Sequence, residues 1–407
     1  MKIAGAGPPR SATSATARAI NDRLALDLLL NRGPLTAPQV RSLTGLSRPT
    51  VSDLLTRLRD AGLVAMTGES DAVQRGPNAR LYELVADRAH VAGLDVRKAS
   101  VSMVVADLTG AVLTSADLPV VNAAGGPVGA AVEALVNAVR RTGSQALHTL
   151  AVGAPGLIDP ATGELRATSG LPSWHSDLVA ALRRRLTVPV LLENEVNLAA
   201  LAELRQGAAR DRDTFVLLWL GLSVGAGAVL DGRLRRGASG GAGEMGFLPV
   251  PGSGGLPSAT DCGNGFHGLV SSAAVCDLAR RHGIGTPAGS DEMAAEAAVR
   301  AALNAGNRGL RFLDELADNV ALGALAICVV LDPGCLVLGG EIGRAGGREL
   351  AGRVAARLAE LSPVRTEVRA AEVPGSAVLA GAVLTALDAA HADLFGPPVS
   401  PGSYRLR

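Results

Sequence analysis

Hydrophobic positions in the first part of the chain change period in a definite order. Over residues 17–33, Ile20, Leu24, Leu28 and their neighbours recur at helical spacing, and the run stops at Gly33. Over 36–64, Thr36 stands as an N-cap with Pro38 in the first turn, and Val40 and Leu43 face inward. Gly45 then breaks the chain. Ser47 caps a second helix carrying Val51, Leu54, Leu55 and Leu58 on one face, and Gly62 ends it. Residues 63–70 and 78–85 alternate like two strands. Residues 1–16 are small, polar and Pro/Gly-bearing, which predicts a disordered tail.

Two short helices joined by a tight turn, the second amphipathic, make a helix-turn-helix. Arg48, Pro49, Thr50 and Ser52 open that second helix. A helix N-terminus favours phosphate, and its first exposed side chains can reach base edges in the major groove. The two strands then form a wing, with Arg75 and Arg80 near its tip. Arg75-Gly76-Pro77 resembles a short arm for a narrow minor groove. The competing reading is a small helical bundle with an ordinary loop.

After about residue 90 the pattern becomes three strands (90–97, 100–107, 111–118) and then alternating helices and strands. A helix is predicted over 127–143, strands over 147–153 and 188–193, and helices over 174–187 and 194–207. Strands follow near 214–221 and 226–232, several helices fill 266–331, and a buried strand lies at 335–340. Hairpin-linked strands followed by strand–helix alternation, occurring twice, predict two similar lobes with a cleft between them. Glycine turns follow several strands: 153–156, 221–227, 237–246 and 339–340.

Composition narrows the class. The chain has 407 residues, 48% hydrophobic but only 2% aromatic, so its core must be aliphatic. Cys262, Cys276, Cys328 and Cys335 are too scattered for a disulfide framework, and the last three read as small buried hydrophobes. No leader pattern opens the chain, and the longest apolar run, 321–331, is too short to span a membrane. A cytoplasmic protein without membrane contact is expected. Residues 1–88 hold 12 Lys+Arg against 8 Asp+Glu, leaving 27 against 30 for the remainder. That imbalance, +4 against −3, suits a front end that faces nucleic acid.

At this point a family resemblance is carried by several segments. They are the N-terminal winged helix, ENEVNLAALAE at 193–203, GLSVGAGAVLDGRLRRGASGGAGEMGF at 221–247, and LDPGCLVLGGEI at 331–342. Together they resemble the ROK family of repressors, open reading frames and kinases. The resemblance implies an α/β chain: a winged helix-turn-helix at 17–88, then a two-lobed actin-like, hexokinase-like (ribonuclease H-like) ROK domain at 89–407. The lobe boundary is expected near 190–195, with a C-terminal helix returning to the first lobe.

Family kinases carry a glycine-rich phosphate hairpin around an aspartate. Here Asp95 matches the aspartate, but Val96 and Arg97 stand where the glycines would be. Only a side-chain-free backbone lets its N–H groups cradle phosphate closely. Arg97 and Lys98 read as solvated turn residues. The family's base is an aspartate after an asparagine. Here Asn194 is followed by Glu195, a carboxylate one methylene further out. The alternative for this pair is a helix cap with no ligand. Glu244 matches the family's sugar-contacting glutamate, Phe247 replaces a histidine that touches sugar and zinc, and Gly170 replaces a sugar-binding asparagine. Only Cys262 and His267 remain near the zinc pattern, too few for a closed tetrahedral site. The resemblance with these departures implies a non-enzymatic regulator without cofactor or metal. It would bind operator DNA as a homodimer or homotetramer and a carbohydrate-like effector at Asn194, Glu195 and Glu244. A sugar kinase and a ligand-independent DNA-binding protein are the alternatives.

Overall fold

The computed structural model describes residues 14–69, 80–120, 122–143, 147–166 and 172–397. Arg75 and Gly170 lie outside the described residues, as do 1–13 of the expected tail.

The N-terminal domain is built by local chemistry. Helix α1 (Ser14–Arg32) ends at Gly33 in the left-handed region, and β1 (Leu35–Thr36) leads into α2 (Ala37–Thr44). Thr36 and Gln39 form a reciprocal capping box that satisfies two otherwise orphaned N–H groups. Ser47 caps α3 (Arg48–Asp60) by accepting from the Thr50 amide at 3.4 Å. Val51, Leu54, Leu55 and Leu58 are buried, as the stripe predicts. Leu43 corrects the reading: it is 37% exposed. The left-handed turn at Gly45 brings Leu46 onto the core and leaves Leu43 at the rim. Strands β2 (Val64–Glu69) and β3 (Arg80–Leu84) pair antiparallel, and β1 adds to β3. A two-residue strand such as β1 is too short for alternation to reveal.

Two five-stranded sheets follow with the same plan. The first lobe contains β4 (His90–Val96), β5 (Ser100–Asp107), β6 (Val112–Pro119), α4 (Gly126–Arg141), β7 (Thr149–Ala154), α5 (Trp174–Arg185) and β8 (Val190–Asn194). Its strand order is β6-β5-β4-β7-β8: an antiparallel hairpin set, then two parallel additions. Helix α6 (Glu195–Gln206) leads to the second lobe: β9 (Phe215–Leu220), β10 (Val224–Leu230), β11 (Arg233–Leu234), α7 (His267–Val270), α8 (Ser272–Arg281), α9 (Asp291–Ala302), α10 (Gly306–Leu331), β12 (Cys335–Gly339), α11 (Gly340–Leu361) and β13 (Glu367–Ala370). Its order, β11-β10-β9-β12-β13, repeats the first. The central strands are buried on both faces and read as largely apolar runs, VAGLDV in the first lobe and FVLLWL in the second.

Helix α12 (Ala377–Phe395) runs back to pack on α6, β4 and β7. By length and composition alone α12 could cross a membrane, but half of it is buried inside this fold. One apolar cluster runs from Leu26 and Leu29 of α1 through α6 to Ala390 and Phe395 of α12. The N-terminal helix-turn-helix domain therefore shares a core with α12. The second lobe keeps its own apolar core around Phe266, Phe312 and Leu316, with Cys276 and Cys328 among its buried residues; Cys335 is buried in the cluster shared with α12.

Candidate functional site

The N-terminal face is set by the two caps. Ser47 and Thr50 also share a hydroxyl hydrogen bond of 2.8 Å, so Thr50 is half-buried and partly spent on the cap. Arg48, Pro49 and Ser52 are exposed at the start of α3. Arg80 is exposed on β3, where its Nη1 lies 3.9 Å from Met66 Sδ. Further along α3, Arg57 is turned back into the domain, donating to Asp22 of α1 at 2.6 Å and to Asp53. Exposed side chains of the expected face thus stand on the first turn of α3 and on β3, while Arg57 braces α3 from behind.

Between the lobes, the β8–α6 junction gathers the cleft residues. Asn194 caps α6: its Oδ1 accepts from the amides of Val196 (2.9 Å) and Asn197 (3.3 Å). Its Nδ2 donates to Gly156 O and Glu195 Oε2, both at 3.2 Å. The cap reading of Asn194 therefore describes its contacts in this structure. Its amide orients Glu195 and ties it to the glycine turn after β7.

Glu195 is half-buried, and Ser223 Oγ donates to its Oε1 at 3.4 Å. Burial, then the nearby charges of Asp95 and Glu244, push its carboxyl up to about 7. Glu244 reaches solvent, but the cleft walls around it still push its carboxyl upward. Phe247, whose amide donates to Glu244 O at 3.2 Å, is 37% exposed. Asn194, Glu195 and Glu244 are thus brought together, with Asp95 as a fourth member.

The loop that carries Glu244 is fastened by a salt bridge the sequence does not announce. Buried Glu193 accepts from Arg236 Nε at 2.6 Å and from Asn197 Nδ2 at 2.9 Å. The same loop needs glycine where it crosses neighbouring backbone. At Gly243 (φ +89°) a Cβ would lie 1.8 Å from Ala226 O, and at Gly240 (φ +81°) it would lie 1.9 Å from Ile158 O.

Arg97 differs most from its expectation. It is not a solvated turn residue. Its Nε donates to Asp95 Oδ2 (3.1 Å), and its Nη1 donates to Glu341 Oε1 of the second lobe (2.8 Å). Glu292 Oε1 of α9 lies 3.7 Å from the same nitrogen. Lys98, next to it, is exposed as expected.

Neither resident group implied by the kinase relatives fits these residues. For zinc, Cys262 and His267 flank Gly246, but Phe247 supplies no donor. Among the described residues no group of three or more His, Cys, Asp or Glu side chains converges as a metal site. For a nucleotide, the hairpin turn is filled by Arg97. The interlobe space lined by Arg97, Glu203, Trp219, Glu341, Arg344 and Ser376 measures about 30 Å³, room for a water or two.

Comparison with known proteins places this geometry. A sequence profile of the ROK family matches residues 91–389, and one of the MarR family matches residues 20–75. The chain is similar to a glucokinase of Thermotoga maritima, 31% identical over 208 residues, covering 48% of this chain and 64% of the relative. It is also similar to a xylose repressor of Bacillus subtilis, 25% identical over 260 residues, covering 60% and 63%. The matched segment thus spans under two thirds of either relative's length. Among solved structures, a ROK family transcriptional regulator homologous to the Escherichia coli MLC protein superposes with a TM-score of 0.72 at 20% identity, covering 93% of this chain and 97% of that one. A ROK family glucokinase from Streptomyces griseus in complex with glucose and AMPPNP reaches 0.61 at 24% identity, covering 73% and 99%. At such identities the likeness concerns the fold.

Proposed function

The chain belongs to the ROK family, and on that premise we propose that it is a DNA-binding transcriptional regulator, a repressor of carbohydrate-related genes. In this reading Arg48, Pro49, Thr50, Ser52, Arg75 and Arg80 meet the operator. A small carbohydrate-like effector sits between the lobes against Asn194, Glu195 and Glu244, with the Asn194 amide also orienting Glu195. The observation that carries the reading is the joining of two features in one core: a winged helix with its first α3 turn exposed, and a kinase-like frame whose phosphate end is closed by Arg97.

Transmission has a physical route. Ser376 caps α12 and lies beside Asp95 at the cleft, and about 28 Å further along the helix the carbonyls of His391 and Gly396 hold Arg23 of α1. An effector that favours one lobe angle displaces α12, and α12 displaces α1. It must bind one state better than the other for anything to move. Two copies of the chain on a pseudo-palindromic operator, as a dimer or a pair of dimers, convert that displacement into a change of half-site spacing.

Selection of duplexes from a random-sequence pool by the purified full chain, followed by titration of a sugar and sugar-phosphate panel into the selected complex, tests this reading. Enrichment of an inverted repeat whose affinity changes with one of the sugars supports it. A kinase reading draws on the similarity to a glucokinase and on the carboxylate of Glu195. A coupled ATP-consumption assay over the same sugars tests it, and turnover abolished by Glu195→Gln would establish it.

A further inference from the structure

We propose that Arg97 is an interlobe latch: a partly buried cation that binds the first lobe to the second at the phosphate end of the cleft, where a kinase of this family seats its nucleotide. The inference specifies how the regulator proposed above sets its lobe angle, and rests on that reading.

The latch is anchored on both sides. On the first lobe, the Arg97 amide donates to Ser100 O at 2.9 Å, fixing the β4–β5 turn, and Arg97 Nε holds Asp95, which is 3% exposed. On the second lobe, Glu341 is the second residue of α11, directly after the Gly339–Gly340 turn that ends β12. Its carboxylate also presses on the other glycine turn, since a Cβ on Gly221 would lie 2.3 Å from Glu341 Oε2. The glycine turns at 221 and 339–340 are therefore packed around a protein carboxylate, and that carboxylate is held by Arg97.

Charge and space agree. Asp95, Glu341 and Glu292 surround a single guanidinium, so a triphosphate entering here would meet an excess of negative charge. The remaining space, about 30 Å³, is an order of magnitude below the several hundred Å³ of an ordinary ligand site. Burial acts to lower the pKa of Arg97, but Asp95 and Glu341 outweigh it and hold the guanidinium charged. The latch is therefore released by separation of the lobes, not by loss of its proton. Its first-lobe anchor Asp95 adjoins Ser376 at the start of α12, so opening the latch frees the end of the helix that leads to α1.

Amide hydrogen exchange on the full chain, without DNA or sugar, tests the proposal. Arg97→Ala and Glu341→Gln should each speed exchange at least tenfold in the β4–β5 turn and the first turn of α11, leaving the α2–α3 amides unchanged. The Glu341→Gln change preserves shape and removes only charge, so it reads the latch even if Arg97→Ala disturbs the turn. The double variant should exchange no faster than the faster single one, because either change breaks the same contact. Unchanged exchange in Glu341→Gln, or effects that add in the double variant, would overturn the latch. So would submillimolar binding of magnesium-ATP to the unaltered chain in calorimetry. Since this readout involves no duplex, its failure is separate from failure of the DNA-binding reading.

Discussion

Arg23 of α1 donates through Nη1 to the carbonyl oxygen of Gly396, 2.6 Å away, just beyond the last turn of α12. The same nitrogen reaches His391 O at 3.3 Å, Nε pairs with Asp27, and the guanidinium carbon lies 5.7 Å from the centre of the Phe395 ring. A cation at a helix C-terminus satisfies orphan carbonyls and opposes the negative end of the helix dipole. The contact joins the N-terminal helix-turn-helix domain to a helix whose other end lies at the cleft. Arg23→Ala should cost about 1–2 kcal/mol of stability. It should leave operator affinity within a few-fold and remove most of the effector-induced change in that affinity, a change of roughly 5–150-fold in coupled systems. Fluorescence anisotropy of the selected duplex, with and without effector, measures both. An intact effector response in the variant would place the coupling elsewhere.

Arg48 is exposed at the start of α3, whereas Arg57 is tied to Asp22 and Asp53. Arg48→Ala should weaken binding to the selected operator by about 1–3 kcal/mol, the size of one bidentate base contact. Binding to unrelated duplex should fall less. Equal loss on both would mean that Arg48 meets only phosphate.

Glu195 makes stability depend on pH in a particular direction. Its carboxyl ionises at 4.5 in a solvated chain and near 7 in the fold. The folded state therefore binds the extra proton in between. This contribution is fully present below about 4.5 and is lost as pH rises through about 7, by about 1–3 kcal/mol in all. Thermal unfolding from pH 5 to pH 8 should show a fall in melting temperature that Glu195→Gln flattens. Identical pH profiles for the two proteins would contradict the assignment.

Glu203 of α6 is 1% exposed and accepts from three backbone amides. Ala208 donates at 2.7 Å, Glu372 at 3.1 Å and Val373 at 3.0 Å, so this carboxylate pins the segment between β13 and α12 to α6. Glu203→Ala strands those amides in the interior and should destabilise by about 2–5 kcal/mol. Glu372→Ala, which removes only an exposed side chain 3.9 Å from Arg348, should change stability by less than about 1 kcal/mol. Differential scanning fluorimetry on the two variants separates these outcomes.

The features visible in the sequence are those governed by near neighbours. Thr36 with Gln39 and Ser47 with Thr50 are capping pairs three residues apart, and the apolar stripe of α3 follows directly from its 3.6-residue period. Strand alternation and the glycine turns likewise disclose two sheets of the same plan. The sequence pattern around Arg97 suggests a solvated turn because its partner is 244 residues away, and charge alone says nothing about which carboxylate will face it. Glu193 with Arg236 and Glu203 with Val373 were invisible for the same reason. Leu43 failed at a finer level: its period points inward, but α2 ends within the next residue and Gly45 hands the core position to Leu46.

The central claim is that this kinase-like frame governs a DNA-binding domain. Its most direct test is binding of the full chain to a duplex chosen from a random pool, followed across salt concentration and with Arg48→Ala in parallel. The account predicts an enriched inverted repeat, an affinity that falls steeply as salt rises, and a larger loss for Arg48→Ala on that repeat than on unrelated duplex. A pool that never converges, together with steady ATP consumption on a sugar, would contradict it.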